Sequence, residues 1–188
     1  MGGDTRRKEK MKNTQNQTRA HILWICKASA IAAIYVALTY LSMALGLDKG
    51  AIQIRFSEAL IALAFFTPAA IPGLTVGCFL ANLLTGCAPL DILLGPVATL
   101  IGSLGAYLIS KMKNGKASRL LFAIPNIVAN AIIVSFIVYV CYTQPSEQNI
   151  PILTFYFLTV GAGEIISCGV LGTVLLFAAE KPLKKILQ

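Results

Sequence analysis

Charge is scarce in this sequence: 13% of its 188 residues are Asp, Glu, Lys or Arg, against about 25% in soluble globular domains. Histidine is nearly missing, with His21 alone, close to the N-terminus. That excludes a histidine-based catalytic triad and a histidine-bridged metal centre in the apolar part of the chain. No glycine-rich loop ends in Lys-Ser/Thr, so ATP hydrolysis is not expected of this chain. The five cysteines (Cys26, Cys78, Cys87, Cys141, Cys168) stand singly in apolar sequence without Cys-x-x-Cys spacing. They offer no disulfide framework and no zinc site and read as small buried hydrophobes. No nucleophile–base pair can be named. An enzyme, a cofactor and a metal are all unexpected.

What is abundant is apolar sequence, at 56% of residues and a mean hydropathy of +0.74, gathered in runs too long to hide in a water-soluble core. Lipid has to be the solvent. The net charge of +8 is arranged accordingly. Arg6, Arg7, Lys8, Lys10, Lys12, Arg19 and Lys27 precede the first apolar run. Lys111, Lys113, Lys116 and Arg119 share one short connection, and Lys181, Lys184 and Lys185 close the chain, leaving only Lys49 and Arg55 elsewhere. Basic clusters bracketing apolar runs are the mark of cytoplasmic loops. No aromatic-basic interleaving accompanies them, so nucleic acid is not an expected partner.

Residues 1–20 read as a polar, basic, solvated cytoplasmic tail, and residues 21–188 as one transmembrane domain. The first span is placed at Ala28–Leu47, with Trp24 and Lys27 as interfacial anchors. The stretch from Glu58 to Ser110 is apolar but broken by Thr67-Pro68, Ile71-Pro72-Gly73 and Gly86-Cys87-Ala88-Pro89. If the tail and the Lys111–Arg119 loop are both cytoplasmic, this stretch crosses an odd number of times. Three helices fit it, the first of them short. Leu120–Cys141 is a fifth span, and Ile152–Ala179 a sixth that is too long to be straight, perpendicular and wholly buried. It is tilted, broken near Gly161 and Gly163, or begins in water. The expected protein is all-α, with six transmembrane helices and both termini cytoplasmic.

Ionisable groups inside membrane helices are expensive and usually have a task or a partner. Glu164 is the clearest, near mid-depth in Gly161-Ala162-Gly163-Glu164, where two missing side chains let a ligand or another backbone approach. Asn130 lies at similar depth, with Asn126 one turn earlier on the same face; helix–helix bridging explains them as well as function does. Asn82, Asp91 and Glu58 gather toward the outer side. Helix capping and the favourable N-terminal helix dipole are the bland account of Asp91 and Glu58. Arg55 either neutralises one of them or meets substrate. Tyr139, Tyr142, Phe155 and Tyr156 lie near the same end, where belt anchoring also accounts for them. Together these residues describe a cavity, open to the outside, lined by carboxylates and amides. In the first span, Ala28 and Ala32, and Ser29, Ala33 and Ala37, form small-residue stripes suited to close packing, within the bundle or against another subunit.

Gln53-Ile54-Arg55-Phe56-Ser57-Glu58-Ala59-Leu60, then Phe65–Leu74 (FFTPAAIPGL) and Gly77–Leu84 (GCFLANLL), resemble the QueT family, substrate-binding (S) components of energy-coupling factor (ECF) transporters associated with queuosine precursors. The resemblance runs from about residue 28 to 179 and takes in Asp91, Gly161–Glu164 and the alanine stripe. It implies a six-helix S-component fold in the plasma membrane, with substrate held near the extracellular face. It also implies partners: a shared ECF transmembrane subunit and two ATPase subunits, docked through Ala28, Ala32, Ala33 and Ala37. A 7-deazaguanine such as 7-aminomethyl-7-deazaguanine, or queuine or queuosine, suits the residues. One carboxylate can accept both donors of its base edge, giving Glu164 that edge, Asn130 or Asn82 the carbonyl, and Asp91 or Glu58 the ammonium of a 7-aminomethyl group. The rival expectations are an S component for another vitamin and a stand-alone ion-coupled carrier using Glu164.

Overall fold

The computed structural model describes residues 2–47, 52–112 and 115–187; Lys49 and Lys113 lie outside them. Among the described residues there is no strand. Helix α1 covers Gly2–Ala44 and is followed by a ten-residue 3-10 helix, Phe56–Phe65. Then come α2 (Ala70–Leu84), α3 (Pro89–Ser110), a short α4 (Gly115–Leu121), α5 (Ile124–Tyr142) and α6 (Ile150–Glu164). A π-helical segment, Ile165–Leu171, joins α6 to α7 (Gly172–Leu187).

Four stretches are long and apolar enough to cross a membrane: Asn13–Ala44, Pro89–Ser110, Ala117–Tyr142 and Ile150–Ala178. Phe56–Phe65 and Ala70–Leu84 are apolar but shorter. At about 2.0 Å per residue for a 3-10 helix and 1.5 Å for an α-helix, they reach about 20 Å and 22 Å, short of a hydrocarbon core of about 30 Å. The exterior is apolar, with Ile34, Leu83, Leu93, Leu108, Ile132, Leu158 and Val170 all exposed, while Glu58, Asn82, Asp91, Asn126, Asn130 and Ser167 are buried. Apolar outside and polar inside is the pattern of a protein solvated by lipid. This is an all-helical membrane protein.

The stretch read as a solvated polar tail is helical and forms the first part of α1. Between Asp4 and Leu45 the sequence has no Gly and no Pro, and it is rich in Lys, Arg, Gln and Ala, so nothing stops the helix from propagating. Gln15, Thr18 and Arg19 remain solvent-exposed along it.

The 3-10 helix is the hub. Every residue from Ser57 to Ala64 is buried, and it packs against α1, α2, α3, α7 and the π segment. A helix that is apolar all round has to be enclosed, and Ala59, Ala62 and Ala64 let neighbours approach. Around it run α1, α2, α3, α5 and α6, each beside the next. Ile31, Tyr35, Leu60, Ile61, Leu74, Phe122 and Leu176 fill the shared core. The cysteines divide: Cys78 and Cys168 are buried as expected, but Cys26 and Cys141 are exposed and Cys87 half-buried.

The long final run is interrupted just after Gly163, where the π segment begins at Ile165. A methyl group built at Gly163 would stand 2.1 Å from the backbone oxygen of Gln53; one at Gly161 would meet only Ala131 Cβ, at 3.7 Å. The missing side chain at Gly163 therefore admits another backbone. Four residues on, Ser167 Oγ accepts from the Arg55 backbone N–H at 3.1 Å, and Ser42 Oγ accepts from Phe56 N–H at 2.8 Å. These contacts pin the Gln53–Phe56 connection between α1 and the π segment. Gly163→Ala is expected to cost about 1–3 kcal/mol by overpacking against a backbone that cannot rotate away. Gly161→Ala should be close to neutral. Thermal unfolding of the two variants in detergent checks the difference.

Candidate functional site

Five side chains singled out from sequence line one cavity. Arg55 comes from the pinned connection, Glu58 from the first turn of the 3-10 helix, Asp91 from the first turn of α3, Asn130 from α5 and Glu164 from the end of α6. Gln53, Cys78, Gly95, Thr99, Val134 and Val160 complete the lining of a tight cavity of about 20 Å³. The acids are deeply placed, Glu58, Asp91 and Glu164 being 3%, 5% and 9% exposed.

Asn126 belongs one layer behind. It is fully buried, and its Nδ2 donates to Glu58 Oε2 at 3.0 Å and to Glu164 Oε2 at 3.1 Å. One amide thus fastens two carboxylates from different helices. Its own Oδ1 packs against Gly102 of α3, where a Cβ would come within 2.1 Å. Asn130 Nδ2 donates to the Asn126 carbonyl at 3.0 Å, keeping one N–H and its own oxygen for the cavity. The Tyr35 hydroxyl of α1 donates to Glu58 Oε1, so both oxygens of Glu58 are engaged. Among the described residues no donor holds Glu164 Oε1, which leaves that oxygen for a ligand.

Asn82, in the last turn of α2, lies outside this cavity. Its Nδ2 donates to the Asp91 backbone oxygen at 3.0 Å and reaches Asp91 Oδ1 at 3.5 Å, which sets the carboxylate's direction. Neither Glu58 nor Asp91 caps its helix through its side chain, but both lie in a first turn, where the helix dipole favours a negative charge. Arg55 is not ion-paired with either acid among the described residues, yet it sits in their field. Burial works against its charge, and Asp91, with Tyr35, Cys78 and Glu58 behind it, more than compensates, holding the guanidinium above its ordinary range. Three carboxylates against one guanidinium leave a cavity that favours a donor-rich or cationic ligand.

The aromatic residues near this end do other work. Tyr142 Oη accepts from Ala88 N–H at 3.0 Å, and Tyr156 Oη accepts from Thr143 Oγ1 at 3.1 Å; Phe155 is exposed. Tyr35 and Thr99 were not named from sequence, Cys78 was read only as a small buried hydrophobe, and Gln53 only as part of the family-like stretch. Only the Glu58 contact gives Tyr35 a role.

The stripe in α1 splits. Ala32 is buried and Ala28 half-buried, and both face α2: a Cβ at Gly73 would stand 2.7 Å from the Ala28 oxygen, and one at Gly77 would stand 3.1 Å from Ala32 Cα. Ser29, Ala33 and Ala37 remain exposed.

Residues 25–181 match the family model described as QueT transporter. The chain belongs to the QueT transporter family. The QueT match contains every residue lining the cavity and omits the polar beginning of α1. A similar protein is the Queuosine precursor transporter QueT of Lactococcus lactis subsp. cremoris (strain MG1363), 34% identical over 104 residues, which are 52% of this chain and 61% of that relative. The match thus spans about three fifths of the length of this curated QueT relative. No solved structure matches the chain.

Proposed function

We propose that this chain is the substrate-binding S component of an ECF transporter and binds a queuosine precursor of the 7-deazaguanine type. The observation that carries the reading is the convergence of Glu164, Asp91 and Asn130 on one cavity with unengaged hydrogen-bonding atoms. Glu164 Oε1 accepts from the adjacent ring and amino N–H groups of the base. The free N–H of Asn130 donates to the base carbonyl. Asp91 receives the ammonium, since both Glu58 oxygens are already held by Tyr35 and Asn126. The family and the relative named for queuosine precursors support this choice over other small molecules.

In this reading the six apolar segments form an S-component bundle in the plasma membrane. The basic clusters hold both termini and the α3–α4 connection on the cytoplasmic side. Import depends on a transmembrane partner and two ATPase subunits, docked on the exposed half of the α1 stripe. Ala33→Leu or Ala37→Leu is expected to abolish coupled uptake in cells while leaving ligand affinity within about twofold, because neither residue lines the cavity.

Calorimetric titration of the purified chain with 7-aminomethyl-7-deazaguanine, riboflavin, thiamine and biotin tests the substrate. Binding of the deazaguanine alone is expected. Binding of a vitamin instead removes the assignment, and uptake by the lone chain in proteoliposomes removes the dependence on partners.

A further inference from the structure

Three carboxylates and one guanidinium meet around a cavity of about 20 Å³, room for roughly one water molecule. Solvent cannot stabilise three buried negative charges in that space. The protein's own donors therefore decide which of the acids ionise.

Those donors are unequally shared. Glu58 Oε1 accepts from the Tyr35 hydroxyl, and Oε2 accepts from Asn126 Nδ2 at 3.0 Å. A proton on either oxygen would confront a donor, so Glu58 is held as the carboxylate. Asp91 has Asn82 Nδ2 at 3.5 Å from Oδ1 and attracts the Arg55 guanidinium more strongly than any other group does. Those two charges offset each other. Glu164 is left with least. Its Oε2 accepts from the same Asn126 nitrogen at 3.1 Å, and its Oε1 accepts from no donor among the described residues. The two glutamates thus meet at one nitrogen, where the charge on Glu58 opposes a second charge on Glu164. The remaining titratable groups around them bring no cation. They are Tyr35 on α1, Cys78 on α2 and Cys168 on the π segment. From α5 come only the amides of Asn126 and Asn130.

We infer that Glu164 carries a proton on Oε1 when the cavity holds no ligand, and releases it when a base binds. The inference rests on the proposed function, in which that oxygen accepts two N–H groups of the base edge. A hydrogen on it would face those donors. On binding, the acid's O–H bond breaks, the proton passes to bulk water, and the electron pair left on Oε1 becomes the acceptor for the base. The ammonium reaching Asp91 replaces the positive charge that leaves. The net charge enclosed is then the same before and after binding.

The test is calorimetric titration of the full chain with 7-aminomethyl-7-deazaguanine at about pH 6, in buffers of different ionisation enthalpy, which counts the protons exchanged. Release of close to one proton per ligand is expected. The complex then holds fewer protons than the free chain, so raising the pH favours it. Affinity should rise by up to about tenfold per pH unit between about pH 5.5 and 7.5, where the ligand's amine stays charged. Glu164→Gln, a neutral mimic of the protonated acid, should release none. Infrared difference spectra give a second measurement that does not depend on affinity. The ligand-free chain should show a protonated-carboxyl stretch that vanishes on binding and is missing from Glu164→Gln. Near-zero proton exchange with level affinity across this range overturns the inference and leaves base recognition standing. Release that persists in Glu164→Gln also overturns it, since the proton then lies on another acid. If the unaltered chain binds no deazaguanine, the proposed function falls and the coupled release with it. A ligand-free chain whose carboxyl stretch is absent, or is unchanged in Glu164→Gln, overturns the stored proton by itself.

Discussion

Glu164→Gln is expected to weaken binding of a 7-deazaguanine by roughly a hundredfold, with little change in the fold. The substitution is isosteric, so the size of the effect comes from hydrogen-bond direction. Asn126 Nδ2 already donates to Glu164 Oε2 at 3.1 Å. A glutamine will turn its oxygen toward that donor and leave its NH2 facing the cavity. The base edge presents donors there, so two charge-assisted bonds become a donor–donor confrontation. Hydrogen bonds to charged groups contribute about 1.5–3 kcal/mol each, and roughly 2.7 kcal/mol corresponds to a hundredfold in affinity. Titration of variant and unaltered chain with the same ligand measures it directly. Affinity unchanged within threefold would remove Glu164 from the base edge. Loss of binding together with collapse of the thermal transition would make the residue structural instead.

Asn126→Leu is expected to lower stability by about 3 kcal/mol, the largest effect of any single replacement around the cavity. The amide sits between Glu58 Oε2 and Glu164 Oε2, at 3.0 and 3.1 Å, with all three residues at least nine-tenths buried. Leucine matches the branching of the amide but is bulkier, so overpacking against Gly102 contributes part of the loss. What disappears is the donor shared by two acids, which are then left facing each other in a medium that cannot screen them. Removing one partner from a buried charged arrangement typically costs about 3–5 kcal/mol, and bridging in membranes sits at the low end of such scales. The control is a second change: Asn126→Leu with Glu58→Gln removes one of the opposed acids, and should recover more than half of the lost thermal stability. A double variant no better than the single one would show that shape rather than charge was lost.

Much of this arrangement is legible in the sequence, for reasons that differ from residue to residue. Glu164 is visible because an acid in an apolar run has no cheap explanation. Asn126 and Asn130 are visible as a four-residue pair. Four residues turn an α-helix by about 40° beyond a full circle, enough to send Asn130 to the cavity and Asn126 to the acids behind it, and sequence alone does not show that division. The first helix of the middle region was expected to be short; its enclosure on every side is a tertiary condition, and its 3-10 winding is not readable from the local sequence. The break near Gly163 was legible from the glycines, but its π-helical form, and the service of Ser42 and Ser167 as anchors for the Arg55 connection, depend on contacts from distant parts of the chain. The unbroken α1 went unread because a polar stretch with good helix formers looks the same whether it is a coil or the extension of a membrane helix.

The most direct measurement is an experimental structure of the chain with 7-aminomethyl-7-deazaguanine bound. The base should lie among the 3-10 helix, α3, α5 and α6, with its ring and amino N–H groups on one oxygen of Glu164 and its ammonium within about 3 Å of Asp91. A ligand found outside the inner cavity, on the apolar exterior or held by Arg55 alone with Glu164 still turned toward Asn126 and touching nothing else, would contradict the account.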